Sequence, residues 1–318
     1  SGAEFNRNAL GFHKPGMWDK IVDVSTCHLQ ADPSNAIRNF IRSYAHKNKV
    51  AFFDPKNKTG FLRSLMIRTT STEEVMIVLQ VFHKEDTILF PLLDAVAQEF
   101  PDLTSLQYVI NGKANDTLYD QEIVCYKGQD YITEVMEALQ FRITAKSFYQ
   151  TNSLQAYELY KVVRELADLQ GDELVYDLYT GTGTIAQFVA QKAQKVVGVD
   201  VVPDSINAAK SNAVHNKIDN VFFETGDMKA IFTEEFIDRH GKASVVITDP
   251  PRDGMHKDVV QQLLDLSPER IVYVSCNSAT QARDLSLMKD QYRLVASQAV
   301  DMFPQTHHVE NVVLLQKI

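Results

Sequence analysis

Two short stretches carry residue types able to do covalent chemistry on a ring carbon. Asp249-Pro250-Pro251-Arg252 ends one apolar run and Ser275-Cys276-Asn277 ends the next, and both fall where the strand ends of an open α/β sheet meet ligands. A thiol at such a place suits addition to a conjugated carbon. Even at an unperturbed pKa of ~8.5 a few per cent is thiolate at neutral pH, and soft sulfur adds reversibly. Addition to carbon 6 of a pyrimidine turns carbon 5 into an enolate-like nucleophile that attacks an electrophilic methyl, and a base must then take the carbon 5 proton before the thiol leaves. Glu310, in Thr306-His307-His308-Val309-Glu310-Asn311, is our choice of base, because a carboxylate in a closed site has its pKa raised towards neutrality. His308 is the competing candidate. A metal set from His307, His308 and Glu310 is disfavoured, since the adjacent histidines have no partner cluster elsewhere. By itself Cys276 reads as a small buried hydrophobe at a strand end; its neighbours reverse that reading.

A second group of residues has the character of a nucleoside site. Asp177-Leu178-Tyr179-Thr180-Gly181-Thr182-Gly183-Thr184 follows the apolar run Leu174 to Leu178 and opens a helix, where glycines let the backbone approach a ligand. Gly181 to Ala186 also satisfies the G-x-G-x-x-A dinucleotide pattern, so this loop alone does not choose between a nicotinamide dinucleotide and another nucleoside cofactor. In either case Asp200, ending the next strand, is expected to accept hydrogen bonds from ribose hydroxyls. Asp204 is expected to be the N-cap of a helix beginning near Ser205. Asp227, in Thr225-Gly226-Asp227-Met228, reads either as an adenine contact or as a turn residue. Cys276 breaks the tie, because hydride transfer has no use for a thiol there.

The elements that must position these residues alternate between strand and helix after Phe148. Strands are expected at Leu174 to Leu178, Val196 to Val199, Val221 to Glu224, Val245 to Thr248 and Ile271 to Ser275, with helices between and one before them from about Ser153 to Asp168. Tyr292 to Met302 and Val309 to Gln316 have no helix between them and read as an antiparallel pair at the sheet edge. The fold class is α/β: a class I methyltransferase Rossmann-like seven-stranded sheet preceded by a smaller α+β domain. We divide the chain into residues 1–145 and 146–318, the second for catalysis. The first part shows short alternating runs, a helix from Thr87 to about Glu99, and turn chemistry at Asn111-Gly112 and Lys127-Gly128-Gln129-Asp130, as expected of a domain rich in antiparallel strands. Ser1 to Phe5 resembles a cloning remnant, and the text that follows reads as a pattern already under way, N-terminally truncated.

The 318 residues, 45% hydrophobic and 23% charged, suffice for two moderate cores. No run approaches the ~20 apolar residues a bilayer needs and no secretory signal opens the chain, so the cytoplasm is expected and no membrane is involved. The three cysteines, Cys27, Cys125 and Cys276, form no paired spacing. A net charge of -9 counts against nonspecific nucleic-acid binding, although Asn6 to Lys20 and the run Arg38, Arg42, His46, Lys47, Lys49 are basic.

Together, Phe148-Tyr149-Gln150-Thr151-Asn152, the Asp177 loop, Asp249-Pro250-Pro251-Arg252, Ser275-Cys276-Asn277 and the stretch from Asp301-Met302-Phe303-Pro304 to Glu310 resemble the RNA uracil-5-methyltransferase family, whose members act on 23S ribosomal RNA or the T-loop of transfer RNA. The resemblance implies S-adenosyl-L-methionine as cofactor, held by Gln150, Tyr179, Gly181, Gly183, Thr184, Asp200, Asp227 and Asp249. It also implies Pro250 and Arg252 at the substrate, Cys276 as nucleophile and Glu310 as base. Thr180 stands where members often have cysteine and Thr184 where some have asparagine. Some members carry an iron–sulfur cluster on four cysteines; only Cys27 matches such a position, so no iron-sulfur cluster is expected in this chain. Members of the ribosomal branch also have a small RNA-binding barrel ahead of this region, and its loss would account for the acidic balance. The expected partner is structured RNA, with 23S ribosomal RNA first and transfer RNA second, its target base flipped out of the stack; no protein partner is inferred. A cytosine-5 RNA methyltransferase would carry its cysteine after the fourth strand, where Pro251-Arg252 stands. A nicotinamide-dependent dehydrogenase and a catalytically idle RNA-binding module are the alternatives of other classes; intact Asp249, Cys276 and Glu310 argue against the idle module.

Overall fold

The computed structural model describes residues 8–318; Ser1 to Phe5 and the start of the basic stretch from Asn6 lie outside the described residues. The chain divides into two compact units, Ser1–Thr133 with Ile143–Lys146, and Glu134–Arg142 with Ser147–Ile318.

In the first unit, β1 (Gly11–Lys14) and β2 (Met17–Asp23) form an antiparallel pair, and α1 (Ser34–Lys47) follows. Ile37, Ile41 and Ala45 recur every four residues along α1 and are at most 1% exposed, which gives the helix its core-facing stripe. Then come β3 (Leu62–Thr69), β4 (Val75–Val81), α2 (Asp86–Glu99), β5 (Ser105–Ile110) and β6 (Val124–Gly128), in a sheet of order β3-β4-β5-β6. The sheet is mixed and not simply antiparallel: β4 and β5 run parallel, because α2 supplies the crossover such a pair requires.

Asn111-Gly112 makes no hairpin. The Asn111 side chain is buried and its amide donates to Gln80 Oε1 at 3.1 Å, anchoring a loop of residues 111–123. Lys127 to Asp130 links strands of different sheets. The tight hairpin joins β7 (Tyr131–Met136) and β8 (Leu139–Thr144) through Glu137 at φ +53°. Two basic residues of α1 are committed internally: Arg38 donates to Val24 O, Gln30 and Asn35, and Arg42 donates to Val24 O and forms an ion pair with Asp23.

The second unit runs α3 (Ser153–Ala167), β9 (Leu174–Leu178), α4 (Thr184–Ala190), β10 (Lys195–Asp200), α5 (Pro203–His215), β11 (Val221–Thr225), α6 (Glu234–His240), β12 (Val245–Thr248), α7 (Lys257–Leu266), β13 (Arg270–Ser275), α8 (Ser278–Met288), β14 (Tyr292–Val300) and β15 (Glu310–Lys317). Its seven strands lie in the order β11-β10-β9-β12-β13-β15-β14. The four residues of β12 are 0% exposed, as expected of a central parallel strand covered on both faces. β15 inserts between β13 and β14 and runs antiparallel to both. Among the described residues no helix is long and apolar enough to cross a membrane.

Candidate active site

Strand polarity gathers the candidate residues at one edge of the sheet. The parallel strands end there with Asp200 (β10), Leu178-Tyr179 (β9), Asp249 (β12) and Cys276 (β13), whereas β15 begins there with Glu310. The direction of strand connections reverses between β9 and β12, the position at which open sheets bind ligands.

The glycine loop is fastened from below by Asp177. This carboxyl is 1% exposed; its Oδ2 accepts from Thr180 Oγ1 at 2.5 Å and from Ala186 N at 3.1 Å, while Oδ1 is buried without a partner. Asp200 holds the other side, accepting from Gly181 N and Val202 N, both at 2.9 Å. Each Asp200 oxygen keeps a lone pair for a further donor. The two glycines differ in role. A Cβ on Gly181, at φ +55°, would meet nothing within 4 Å, whereas one on Gly183 would lie 2.6 Å from the Phe223 ring. Gly181 thus leaves open space above the loop, and Gly183 lets α4 pack on the sheet. Tyr179 takes φ +61°, unusual for a residue with a side chain, and its hydroxyl is pushed up to about 12 by burial and by Asp227, Asp284 and Asp200.

One expectation, the N-cap of the helix after Asp200, is corrected here. α5 begins at Pro203, with Val202 in the cap position and no side-chain cap. Asp204 therefore lies in the first turn, because proline with its fixed φ takes the first helical position. Asp227 is exposed and its Oδ1 accepts from Lys229 N at 3.0 Å, the bond of a turn residue. The Thr184 hydroxyl is buried 3.4 Å from that of Thr182. On either side of Gln150, Phe148 O accepts from Thr182 Oγ1 at 3.5 Å, and Asn152 Nδ2 donates to Met302 O at 2.8 Å. Asn152 also caps α3.

At the chemical end, the β13–β15 ladder pairs Ser275 with Asn311. One step further in that antiparallel register sets Cys276 opposite Glu310, and directly opposed residues have Cβ atoms about 4.5–5.5 Å apart on the same face. The thiol is half-buried. It is raised above its ordinary pKa by burial and by the Glu310 and Asp249 carboxylates, and lowered by the charge and hydrogen bond of Arg252. Glu310 is raised by burial, which the Arg252 charge opposes, and its Oε2 is buried without a partner. Arg252 Nη2 lies 3.3 Å from His308 Nδ1. Guanidinium only donates, so that nitrogen accepts. Pro250 is buried. Asp249 is raised well above its ordinary value by burial, then by Glu310 and Asp177.

Asp284 and Arg283 give no motif-level signal of function, yet they shape the loop that carries Arg252. Asp284, 0% exposed, accepts from Met255 N and Tyr273 OH at 2.8 Å, and Arg283 donates to Asp253 O and Met255 O. Tyr160 was likewise not legible in the sequence; it is buried, and its hydroxyl is raised by burial and by Tyr149, Asp249, Asp177 and Glu310. Among the described residues no group of His, Cys, Asp and Glu could hold a metal ion.

Asp177 is pushed up to about 7, chiefly by burial, and this carries a sign for stability. A carboxyl that binds its proton more tightly folded than unfolded stabilises fully below the unfolded value of ~3.9, and that contribution is lost as pH rises through the folded value. Asp177 should therefore contribute a decline in the melting temperature of the protein alone between pH 4 and pH 7. Asp177→Asn, neutral throughout, should flatten the decline and gain up to about 4 kcal/mol relative to wild type at pH 8. Equal slopes for the two proteins in thermal melts would refute this.

A sheet of this order with a thiol and a carboxylate opposed at its carboxyl edge is that of a class I methyltransferase. Residues 67–318 match the family model described as tRNA (Uracil-5-)-methyltransferase. A Porphyromonas gingivalis protein described as an uncharacterized RNA methyltransferase is 57% identical over 313 residues, 97% of this chain and 67% of that protein. A Clostridium tetani relative with the same description is 37% identical over 321 residues, 99% of this chain and 68% of that protein. Among solved structures, the Pyrococcus abyssi tRNA (uracil-54, C5)-methyltransferase in complex with S-adenosyl-L-homocysteine superposes with a TM-score of 0.78 at 31% identity, covering 97% of this chain and 73% of that one. The chain belongs to the tRNA (uracil-5-)-methyltransferase family and is an RNA methyltransferase.

Proposed function

We propose that the protein transfers a methyl group from S-adenosyl-L-methionine to carbon 5 of a uridine in structured RNA, through a covalent adduct between Cys276 and carbon 6. The observation that carries this reading is the β13–β15 ladder, whose last pair, Ser275 with Asn311, stands one residue from Cys276 and Glu310, together with the action of the Glu310 carboxylate on that thiol. The Pyrococcus enzyme binds S-adenosyl-L-homocysteine, and the residues here suit the parent donor. Gly181 leaves room over the loop, Asp200 retains acceptor capacity for ribose hydroxyls, and Asp177, Asp249 and Glu310 supply carboxyl groups that are raised chiefly by burial. When bound, the donor supplies an electrophilic methyl on a positive sulfur.

The chain's own residues then divide the work. The Cys276 thiolate adds to carbon 6, and the ring electrons move to carbon 5 and the adjacent carbonyl. Carbon 5 takes the methyl. Glu310 accepts the carbon 5 proton, the electrons re-form the 5,6 double bond, and the carbon–sulfur bond breaks. Arg252 holds the thiol towards its anionic form. The first unit is assigned to RNA placement, with Lys47 and Lys49, both exposed, available to phosphates.

For the RNA, the sequence pattern points to 23S ribosomal RNA, whereas the Pyrococcus relative acts on transfer RNA. The test uses transcripts of both, with 5-fluorouridine in place of uridine, incubated with protein and donor and run on a denaturing gel. Fluorine cannot be abstracted, so a trapped complex should form with at least one transcript, and that transcript names the class. Calorimetric donor binding without any trapped complex would overturn the covalent mechanism.

A further inference from the structure

Glu310 sits on the one strand of the second unit that enters the site by its amino end, so its position depends on how β15 registers on β13. A slip of one residue turns Glu310 to the other face of the sheet, and a slip of two moves it about 6.8 Å along the strand. The ladder between β13 and β15 ends at Ser275 and Asn311, one residue short of Glu310, which is paired on its other side with Val300 of β14. A side chain of α8 grips that end. Gln281, 2% exposed, donates through Nε2 to Tyr273 O of β13 at 2.9 Å and to Asn311 O of β15 at 3.1 Å. Its Oε1 accepts from Asn311 Nδ2 at 2.7 Å. Asn311 Oδ1 in turn accepts from Ser297 Oγ of β14 at 3.1 Å.

The amide therefore ties α8, β13, β15 and β14 together one residue from the base. Because side chains alternate along a strand, Asn311 and its partner lie on the face opposite Glu310. We propose that Gln281, paired with Asn311, is a positioning residue that fixes the register of β15 and so holds the Glu310 carboxylate across from the Cys276 sulfur. This rests on the adduct mechanism above, with Glu310 acting after the methyl has moved. Gln281 touches no reacting atom, and its loss should slow proton removal while leaving donor binding and sulfur addition in place.

The test compares wild type, Gln281→Leu, Asn311→Ala and the double variant in four measurements: turnover on uridine transcripts, yield of the 5-fluorouridine adduct, covalent complex on ordinary uridine RNA, and calorimetric donor binding. Gln281→Leu should reduce turnover about 10- to 100-fold, the size expected for ångström-scale misplacement. Fluorouridine adduct and calorimetric donor binding should stay within about twofold, and a denaturing gel should now show complex on ordinary RNA. The double variant should be no slower than Gln281→Leu alone, since it leaves no unpaired amide behind. If Gln281→Leu is insoluble, Asn311→Ala carries the same split. A parallel fall in turnover, trapping and donor binding, or unchanged turnover, overturns the positioning role. Failure of wild type to trap fluorouridine RNA instead removes the mechanism on which it rests.

Discussion

A Cys276→Ala protein is expected to bind the methyl donor as wild type does and to transfer no methyl, its rate falling by about 10⁴-fold or more. The expectation follows from the substrate: carbon 5 of a neutral uracil is a poor nucleophile, and nothing else at this sheet edge offers a soft anion to carbon 6. The change removes only a half-buried sulfur that makes no hydrogen bond on which the strand ends depend, so the cost to the fold should stay near about 1 kcal/mol. Cys276→Ser should be no better, because a hydroxyl is far less ionised than a thiol and adds less readily to a conjugated carbon. The measurements are radiolabelled methyl incorporation under single-turnover conditions and calorimetry with the donor. Incorporation above about a tenth of the wild-type rate would show that carbon 5 is methylated without the sulfur, and the mechanism would fall.

Much of this centre was legible in the sequence because it sits at strand ends, where a parallel sheet announces itself. Val245 to Thr248 is an apolar run with Asp249 directly after it, Ile271 to Ser275 is followed by Cys276, and Asp177 is the one charge in Leu174 to Leu178, so these positions could be read from pattern alone. The reversed β15 was also legible, as the missing helix between two strand-like runs. What pattern could not give was the partnering. Whether Asp227 meets a ligand or closes a turn depends on one backbone N–H, that of Lys229. Whether Gly183 serves ligand or packing depends on the distance to Phe223. Gln281 looked like any polar residue on a surface helix, because its burial comes from strands far away in the chain. The first unit was read less well for a similar reason: β4 and β5 are parallel through α2, a relation fixed by the crossover and not by either strand's alternation. Arg38 and Arg42 illustrate the opposite error, a basic helix face whose charges turn inward to hold the chain between Asp23 and Asn35.

Glu310→Gln separates the steps that Cys276→Ala collapses. Glutamine has nearly the same shape, so the register of β15 and the approach of sulfur to carbon 6 should survive, and one methyl should still be transferred. The carbon 5 proton then has no acceptor. The adduct should therefore persist on ordinary uridine RNA and run as a covalent complex on a denaturing gel, which wild type resolves. Steady-state turnover should fall by about 10²- to 10⁴-fold, while a single round of methyl incorporation stays close to wild type. The pH dependence has a definite sign. The base must be ionised to act, and burial raises Glu310 while Arg252 opposes the rise. The wild-type rate of adduct resolution should therefore climb with pH through a value above the ordinary ~4.3 of a glutamate. In Glu310→Gln that limb should vanish, and the residual resolution should depend on solvent hydroxide alone. If the glutamine variant turns over within about tenfold of wild type, or if no complex accumulates although a methyl has been transferred, another group removes the proton. His308, with Nδ1 engaged by Arg252, would then have to release the guanidinium to serve, and Arg252→Met should speed that route where it would otherwise slow the enzyme by weakening the thiolate.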